Sequence, residues 1–183
     1  YEDTSTGEEN NSGQEVNLTD LVKAGGLPVS ATSSVENVNR KGTLEFAFSY
    51  VIDDDKLDTA KNNPTWVYDI SSLLSSAEGG VFSSIVEDSV GIIYDGNTNA
   101  GTYKVKNGKV YLYIDSSYIQ NHTSDVKGTF LLNCSFDSSV IKSDSEKEIK
   151  FPGITDKTVV KFEEVKTETS KKVQGQQADD GRV

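Results

Sequence analysis

The stretch GTYKVKNGKVYLYID, residues 101–115, decides the fold of this chain. Apolar and polar residues alternate on both sides of the dipeptide Asn107-Gly108, a pattern typical of half-buried β-strands. Asn-Gly between two such runs is the strongest short-range hairpin signal, because the favoured two-residue turn requires positive φ at both positions. We therefore predict an antiparallel hairpin centred on this dipeptide.

The second strand of this hairpin has two different faces. Val110, Leu112 and Ile114 lie on one of them, and Tyr111 and Tyr113 lie on the other. Tyrosine is common at recognition surfaces, so these two tyrosines are the candidate ligand-binding residues. The competing interpretation is cross-strand packing on a face that remains in solvent.

Strand patterns also dominate the sequence on either side of the hairpin. The run TLEFAFSYVI alternates with a period of two and puts five large residues on one face: Leu44, Phe46, Phe48, Tyr50 and Ile52. Further candidate strands are VNLTDLV, TWVYDI, VGIIYD, GTFLLNCSFD and KTVVKFEEV. Turn-forming clusters separate them at residues 53–64, 79–80, 95–101 and 120–127. The best helical candidate is short, residues 70–77, so we predict an all-β fold of the β-sandwich type.

The two ends of the chain differ in composition from the middle. Residues 1–14 are almost all polar or acidic, and residues 166–183 are rich in Lys, Glu, Gln, Thr and Asp. Such segments bury too little apolar surface to fold alone. We predict a polar N-terminal arm at 1–14, one domain at 15–165, and a linker with the start of a following domain at 166–183. We also expect the chain to be a fragment of a longer protein.

The charge balance excludes some classes of partner. The chain carries 29 acidic and 18 basic residues, for a net charge of −11. General nucleic-acid binders and anionic-membrane binders need clustered cations, so neither partner is expected. No apolar run reaches membrane-spanning length. The single cysteine, Cys134, rules out an internal disulfide and a cysteine-based zinc site.

Few side chains in the sequence offer catalytic or metal-binding chemistry. His122 lies in the polar loop QNHTSD, where a lone histidine is most often solvated. Cys134 lies on an apolar strand face, where a thiol behaves as a small inert hydrophobe. The acidic loop VIDDDKLD holds Asp53, Asp54, Asp55 and Asp58 but lacks the spacing and the glycine of an EF-hand calcium loop, so we interpret it as a solvated hairpin tip. Trp66 alternates with Tyr68 and is expected in the core rather than as a sugar platform.

We therefore predict no enzymatic activity, no cofactor and no metal. An enzymatic alternative, such as a carbohydrate-active module, would require a pair of acids across a cleft, and nothing in the sequence indicates one.

Three segments carry a resemblance to a known family: WVYDISSLL, VGIIYDGNTNAGTYKVKNGKVYLYID and VKGTFLLNCSFD. Together they resemble the adhesive immunoglobulin-like domains of Gram-positive surface proteins, over about residues 40–140. That group includes the collagen-binding and fibrinogen-binding adhesins of the MSCRAMM type and the isopeptide-forming, pilin-related proteins. The C-terminal piece VKFEEVKTETSKKVQGQQADDGRV looks like a linker and the opening strand of a next domain in such a tandem array.

The resemblance implies a fold, a location and a function. The fold is an antiparallel, immunoglobulin-like β-sandwich of the DEv-IgG type. The location is extracellular, on a cell-wall-anchored protein whose anchor lies outside this segment. The function is adhesion to a host matrix protein or glycan, with neighbouring domains of the same chain as further partners. The alternative is a structural stalk or pilus-type spacer without a ligand of its own.

The family often carries a self-formed Lys–Asn isopeptide bond, which a buried Asp or Glu promotes by sharing a proton. Asn133 and Lys161 are the candidate pair in this chain. The alternation of their strands argues against the bond. The apolar neighbours of Asn133 and of Lys161 point inward, so both candidate side chains point outward.

Overall fold

The computed structural model describes residues 15–85 and 90–165, and the predicted N-terminal arm and C-terminal linker lie outside these ranges. The strands are β1 (Val16–Asn17), β2 (Val29–Ala31), β3 (Thr43–Val51), β4 (Thr65–Asp69), β5 (Phe82–Ile85), β6 (Val90–Asp95), β7 (Thr98–Lys106), β8 (Lys109–Ile114), β9 (Lys127–Phe136), β10 (Glu146–Ile149) and β11 (Thr158–Lys161). Three short α-helices are α1 (Leu57–Asn62), α2 (Ser116–Gln120) and α3 (Ser138–Ile141). Single turns of 3-10 helix cover Leu18–Asp20, Asp54–Lys56 and Ser71–Leu73. The prediction of an all-β fold is confirmed.

Nine strands form one hydrogen-bonded sheet in the order β1-β4-β8-β7-β6-β9-β3-β2, with β5 paired to β9 beside β6. The sheet is mixed rather than purely antiparallel, because β1 runs parallel to β4. A separate antiparallel pair, β10 and β11, forms the second sheet. β9 is the central strand, since it pairs with β3 along one edge and with β5 and β6 along the other.

The large sheet curls until distant strands face each other. β3 and β4 are separated by five strand-to-strand steps, which would span about 24 Å in a flat sheet. The rings of Phe48 on β3 and Tyr68 on β4 are nevertheless only 5.5 Å apart. Those of Tyr50 and Trp66 are 5.6 Å apart. The curl therefore encloses an aromatic core between two halves of one sheet.

The hairpin predicted at Asn107-Gly108 is confirmed. These residues have φ values of 54° and 78°, which are the two positive angles that a type I′ turn requires. Glycine is needed at the second position for a further reason, since a Cβ on Gly108 would lie 2.8 Å from the Cα of Ser71. The turn thereby sets the register of β7 against β8, in which Lys106 faces Lys109.

The helical segments were predicted less well. The helix expected at residues 70–77 is only a single 3-10 turn, Ser71–Leu73, followed by a β-bridge at Leu74. The region 53–64, interpreted as a turn, contains α1 instead. Leu57 and Ala60 are buried there at helical spacing, so the apolar period was present in the sequence but only one turn long.

Candidate binding surface

The outer face of the sheet, on the side away from the aromatic core, is the candidate binding surface. Strand register aligns its side chains in rows that cross β4, β8, β7 and β6. The first row consists of Thr65, Tyr113, Thr102 and Ile92. The second row consists of Val67, Tyr111, Lys104 and Val90. The two predicted tyrosines are therefore two strands away from the two aliphatic residues of β6, about 10 Å on the same face.

An apolar band, defined as Val90, Ile92, Tyr94 and Leu131, is the most unusual feature of this face. These side chains are 65%, 42%, 44% and 41% exposed, respectively. They are four of the five large hydrophobic side chains that are exposed in the described ranges; the fifth is Val165. A wet face of an antiparallel sheet normally carries polar residues, so a contiguous apolar band on it indicates an interaction site.

Tyr103 holds β6 and β9 together under this band. The two strands pair directly only at Tyr94 and Thr129. Beyond that point the Tyr103 hydroxyl accepts a hydrogen bond of 3.2 Å from the Leu131 amide. Its ring crosses β6 at Gly91, where a Cβ would lie 2.2 Å from the ring, so only glycine admits this path. The register of the Tyr94–Thr129 pair, continued along the two antiparallel strands, places Leu131 of β9 opposite Ile92 of β6.

Tyr111 and Tyr113 lie on the outer face of β8, as the alternation predicts. Both side chains are half-buried, and their rings are nearly parallel, with centroids 6.4 Å apart and planes at 10°. Val67 of β4, opposite Tyr111, is only 7% exposed although it faces outward. The tyrosines thus lie between the exposed band and a part of β4 that is already covered, and ligand binding by them stays a prediction.

On the part of this face formed by β4, β6, β7 and β8, lysines outnumber acids, whereas Glu45 of β3 lies diagonally from Leu131 on the part formed by β3 and β9. Outward positions of β4, β6, β7 and β8 include three lysines, Lys104, Lys106 and Lys109, and one acid, Asp69. Lys106 and Lys109 are direct cross-strand neighbours, an arrangement of like charges that weakens a hairpin. Neither Lys104 nor Lys106 forms an ion pair with a described carboxylate.

The structure gives His122 and Cys134 no shared site. The His122 ring lies on Tyr118, with centroids 4.2 Å apart, and its Nδ1 is 2.7 Å from the Tyr118 carbonyl oxygen. Cys134 is fully buried on β9, between Leu44 of β3 and Ile85 of β5. A nucleophile must contact its base, and this histidine and this thiol have different neighbours.

Burial raises the pKa of the Cys134 thiol to about 12. The thiolate, which is the reactive form, is therefore nearly absent at pH 7 to 9 while the protein is folded. We expect no labelling by Ellman's reagent in native buffer at pH 8 and one thiol per chain in denaturant. Rapid labelling of the folded protein would contradict this burial.

Other residues singled out from the sequence have local structural roles. Trp66 is fully buried and donates from Nε1 to the Ala60 carbonyl at 3.3 Å, as expected for a core anchor. The Asp53 side chain accepts a hydrogen bond from the Asp55 amide at the start of a 3-10 helix. No cluster of three potential metal ligands occurs within 15–85 or 90–165.

The candidate isopeptide residues lie on different sheets. Asn133 is half-buried on β9 opposite Glu45, and Lys161 is exposed on β11 opposite Glu146. In the part of the chain that the structure describes, no Asp or Glu is buried, so neither residue has the low-dielectric acid that the reaction needs. Both point outward, and the bond itself stays a prediction.

A cleft of about 780 Å³ lies at another end of the domain, around Arg40, Lys142 and Glu163. The Arg40 guanidinium forms hydrogen bonds to backbone carbonyls there. Nη1 donates to the Lys142 and Asp144 carbonyls at 2.9 and 2.6 Å, and Nη2 donates to the Glu163 carbonyl at 2.9 Å. An arginine that caps three backbone segments indicates a structural role rather than a ligand site.

Sequence reasoning missed the apolar band. VGIIYD was interpreted only as a strand, and a run that is apolar at successive positions is usually buried on both faces. One signal was available. GTYKVK places Lys104 on the strand next to VGIIYD, and a lysine at an outward position indicates that the outer face of both strands is exposed to solvent.

No known protein family matches this sequence, and no characterised protein matches it significantly. None of the described helices is long and apolar enough to cross a membrane.

Proposed function

We propose that this domain is a non-enzymatic binding module of a bacterial surface adhesin, which recognises a host extracellular protein or glycan through the outer face of its sheet. The observation that carries the proposal is the apolar band, exposed on a face where a solvated sheet would carry polar residues. Tyr111 and Tyr113 lie on the same face and add half-buried aromatic surface of the kind enriched at interfaces.

The adhesin assignment and the extracellular, cell-wall location come from the resemblance of the three segments between Trp66 and Asp137. The same proposal includes the finer fold assignment, an immunoglobulin-like sandwich. In its support, the curled sheet packs β3 against β4 around an aromatic core, as the two layers of a sandwich do. The single continuous sheet and the parallel pair β1–β4 differ from the standard two-sheet arrangement.

The test is saturable binding to an array of purified matrix proteins, serum proteins and glycans. We expect a saturable partner whose affinity falls at least tenfold, about 1.4 kcal/mol, when Ile92 and Leu131 are both replaced by serine. The Tyr111→Ala/Tyr113→Ala double variant should weaken the same binding. A matched control is Thr155→Ala, which changes an exposed residue in the loop between β10 and β11, outside the large sheet.

Both outcomes are informative because the band positions are exposed and their substitution should leave folding intact. Thermal unfolding of each variant verifies this. A folded domain that binds nothing on the array, or whose binding survives the Ile92/Leu131 change, would refute the proposal. A blank array would favour the spacer function instead.

A further inference from the structure

We infer that the partner of the outer face is an acidic protein surface that carries apolar side chains. This inference rests on the proposed function and adds to it the chemistry of the ligand. It is drawn from three properties of the face: its convex shape, its aliphatic band and its lysines.

The shape and composition of the face favour a protein over a small molecule or a glycan. Small-molecule sites are concave, whereas this face is the outer, convex side of a curled sheet. Val90, Ile92 and Leu131 are branched aliphatic residues, 65%, 42% and 41% exposed. Such side chains gain free energy by burial against other apolar side chains, which a sulfated glycan does not offer.

The lysines indicate the sign of the partner's charge. Lys104 lies between Tyr111 and Val90 in one row, so a partner seated on the apolar surface must cover its ammonium group. Covering a cation that has no ion pair among the described residues costs free energy unless the partner supplies an anion. Lys106 lies opposite Lys109, and this pair of like charges weakens the hairpin. Residues that lower the stability of the fold are expected at functional sites, so the pair supports a binding role for these lysines.

A second copy of this chain is a poor occupant. A symmetric dimer would bring the same patch of each copy together, so the three lysines of one copy would meet those of the other. Like charges placed against each other across an interface oppose association. Among the described outward residues of β4, β6, β7 and β8, Asp69 is the one acid, and it lies opposite Lys109.

The test uses synthetic peptides of equal length and equal Leu, Phe and Tyr content. Their remaining positions are Asp and Glu in one series, Lys and Arg in a second, and Ser in a third, with heparin as the sulfated-glycan probe. We expect the parent domain to prefer the acidic series at least tenfold over the serine series, with an affinity that falls as NaCl is raised. Lys104→Glu/Lys106→Glu should move the preference to the basic series, and Ile92→Ser/Leu131→Ser should weaken both.

In the Lys104→Glu/Lys106→Glu variant, Glu at position 106 faces Lys109 and so places opposite charges across the hairpin. The double variant should therefore be no less stable in urea than the parent. Equal binding of the acidic and serine series, or no binding of any peptide, would overturn the inference. Heparin binding that survives Ile92→Ser/Leu131→Ser would overturn it in favour of a sulfated glycan. None of these results removes a partner found on the protein array, so failure of the charge inference is distinguishable from failure of the proposed function.

Discussion

Replacing Phe130 by alanine is expected to lower the free energy of unfolding by about 3–5 kcal/mol, which is the usual cost of truncating a fully buried phenylalanine. Phe130 is 1% exposed and stacks on Phe48, with ring centroids 5.2 Å apart and planes at 6°. Its ring also contacts those of Tyr68 and Tyr103 at 6.3 and 5.7 Å. Truncation therefore opens a cavity where β9 meets the strands on the opposite side of the curl.

The measurement is urea unfolding followed by tryptophan fluorescence, since Trp66 is buried in the same core. A domain of this size has a total stability of roughly 5–15 kcal/mol, so the loss is a substantial fraction of the total and should lower the urea midpoint clearly. Phe130→Leu keeps most of the volume and should cost clearly less. The adjacent Leu131→Ala provides the matched control, because Leu131 points outward and its truncation should change stability by no more than about 0.5 kcal/mol.

These two neighbouring positions also separate folding from binding. Leu131→Ala should weaken binding in a stable protein, whereas Phe130→Leu should weaken the fold and leave the affinity of the folded fraction unchanged. If Phe130→Ala cost no more than Leu131→Ala, the assignment of inner and outer faces along β9 would be wrong.

The alternation along β3, β8 and β9 could be predicted because it depends on one strand at a time. Each has a period of two over at least six residues, and the inward residues are buried as expected. β5 could not be predicted in this way. Phe82 and Ile85 are its buried residues, and a register shift between them breaks the period of two.

Features that depend on pairs of distant strands were not accessible from the sequence. The contact of Tyr50 with Trp66 requires the curl of the whole sheet, which no local pattern encodes. The apolar band required knowing that Ile92 lies in a row with Thr102 and Tyr113 on a wet face. The outward position of Tyr111 and Tyr113 could be predicted, because the alternation within β8 alone separates its inward residues from its outward ones.

Replacing Arg40 by alanine is expected to lower the free energy of unfolding by about 2 kcal/mol, since hydrogen bonds from charged donors contribute roughly 1.5–3 kcal/mol each and these are partly exposed. Arg40 joins three backbone segments through the carbonyls of Lys142, Asp144 and Glu163. Its guanidinium also lies 5.4 Å from the centre of the Phe162 ring. These segments border β10 and β11, so Arg40 attaches the small sheet to the loop that leads into β3.

The expected signature of this change is local as well as global. Urea unfolding should shift to a lower midpoint, and hydrogen exchange should show the largest loss of protection in β10 and β11. Arg40→Lys keeps the charge but cannot direct donors at three carbonyls at once, so it should recover less than half of the loss. Lys41→Ala is the adjacent control, because Lys41 is exposed and should cost at most about 0.5 kcal/mol. An Arg40→Ala variant as stable as Lys41→Ala, with unchanged exchange in β10 and β11, would show that the small sheet is held by Phe162 packing on Phe136 at 5.1 Å instead.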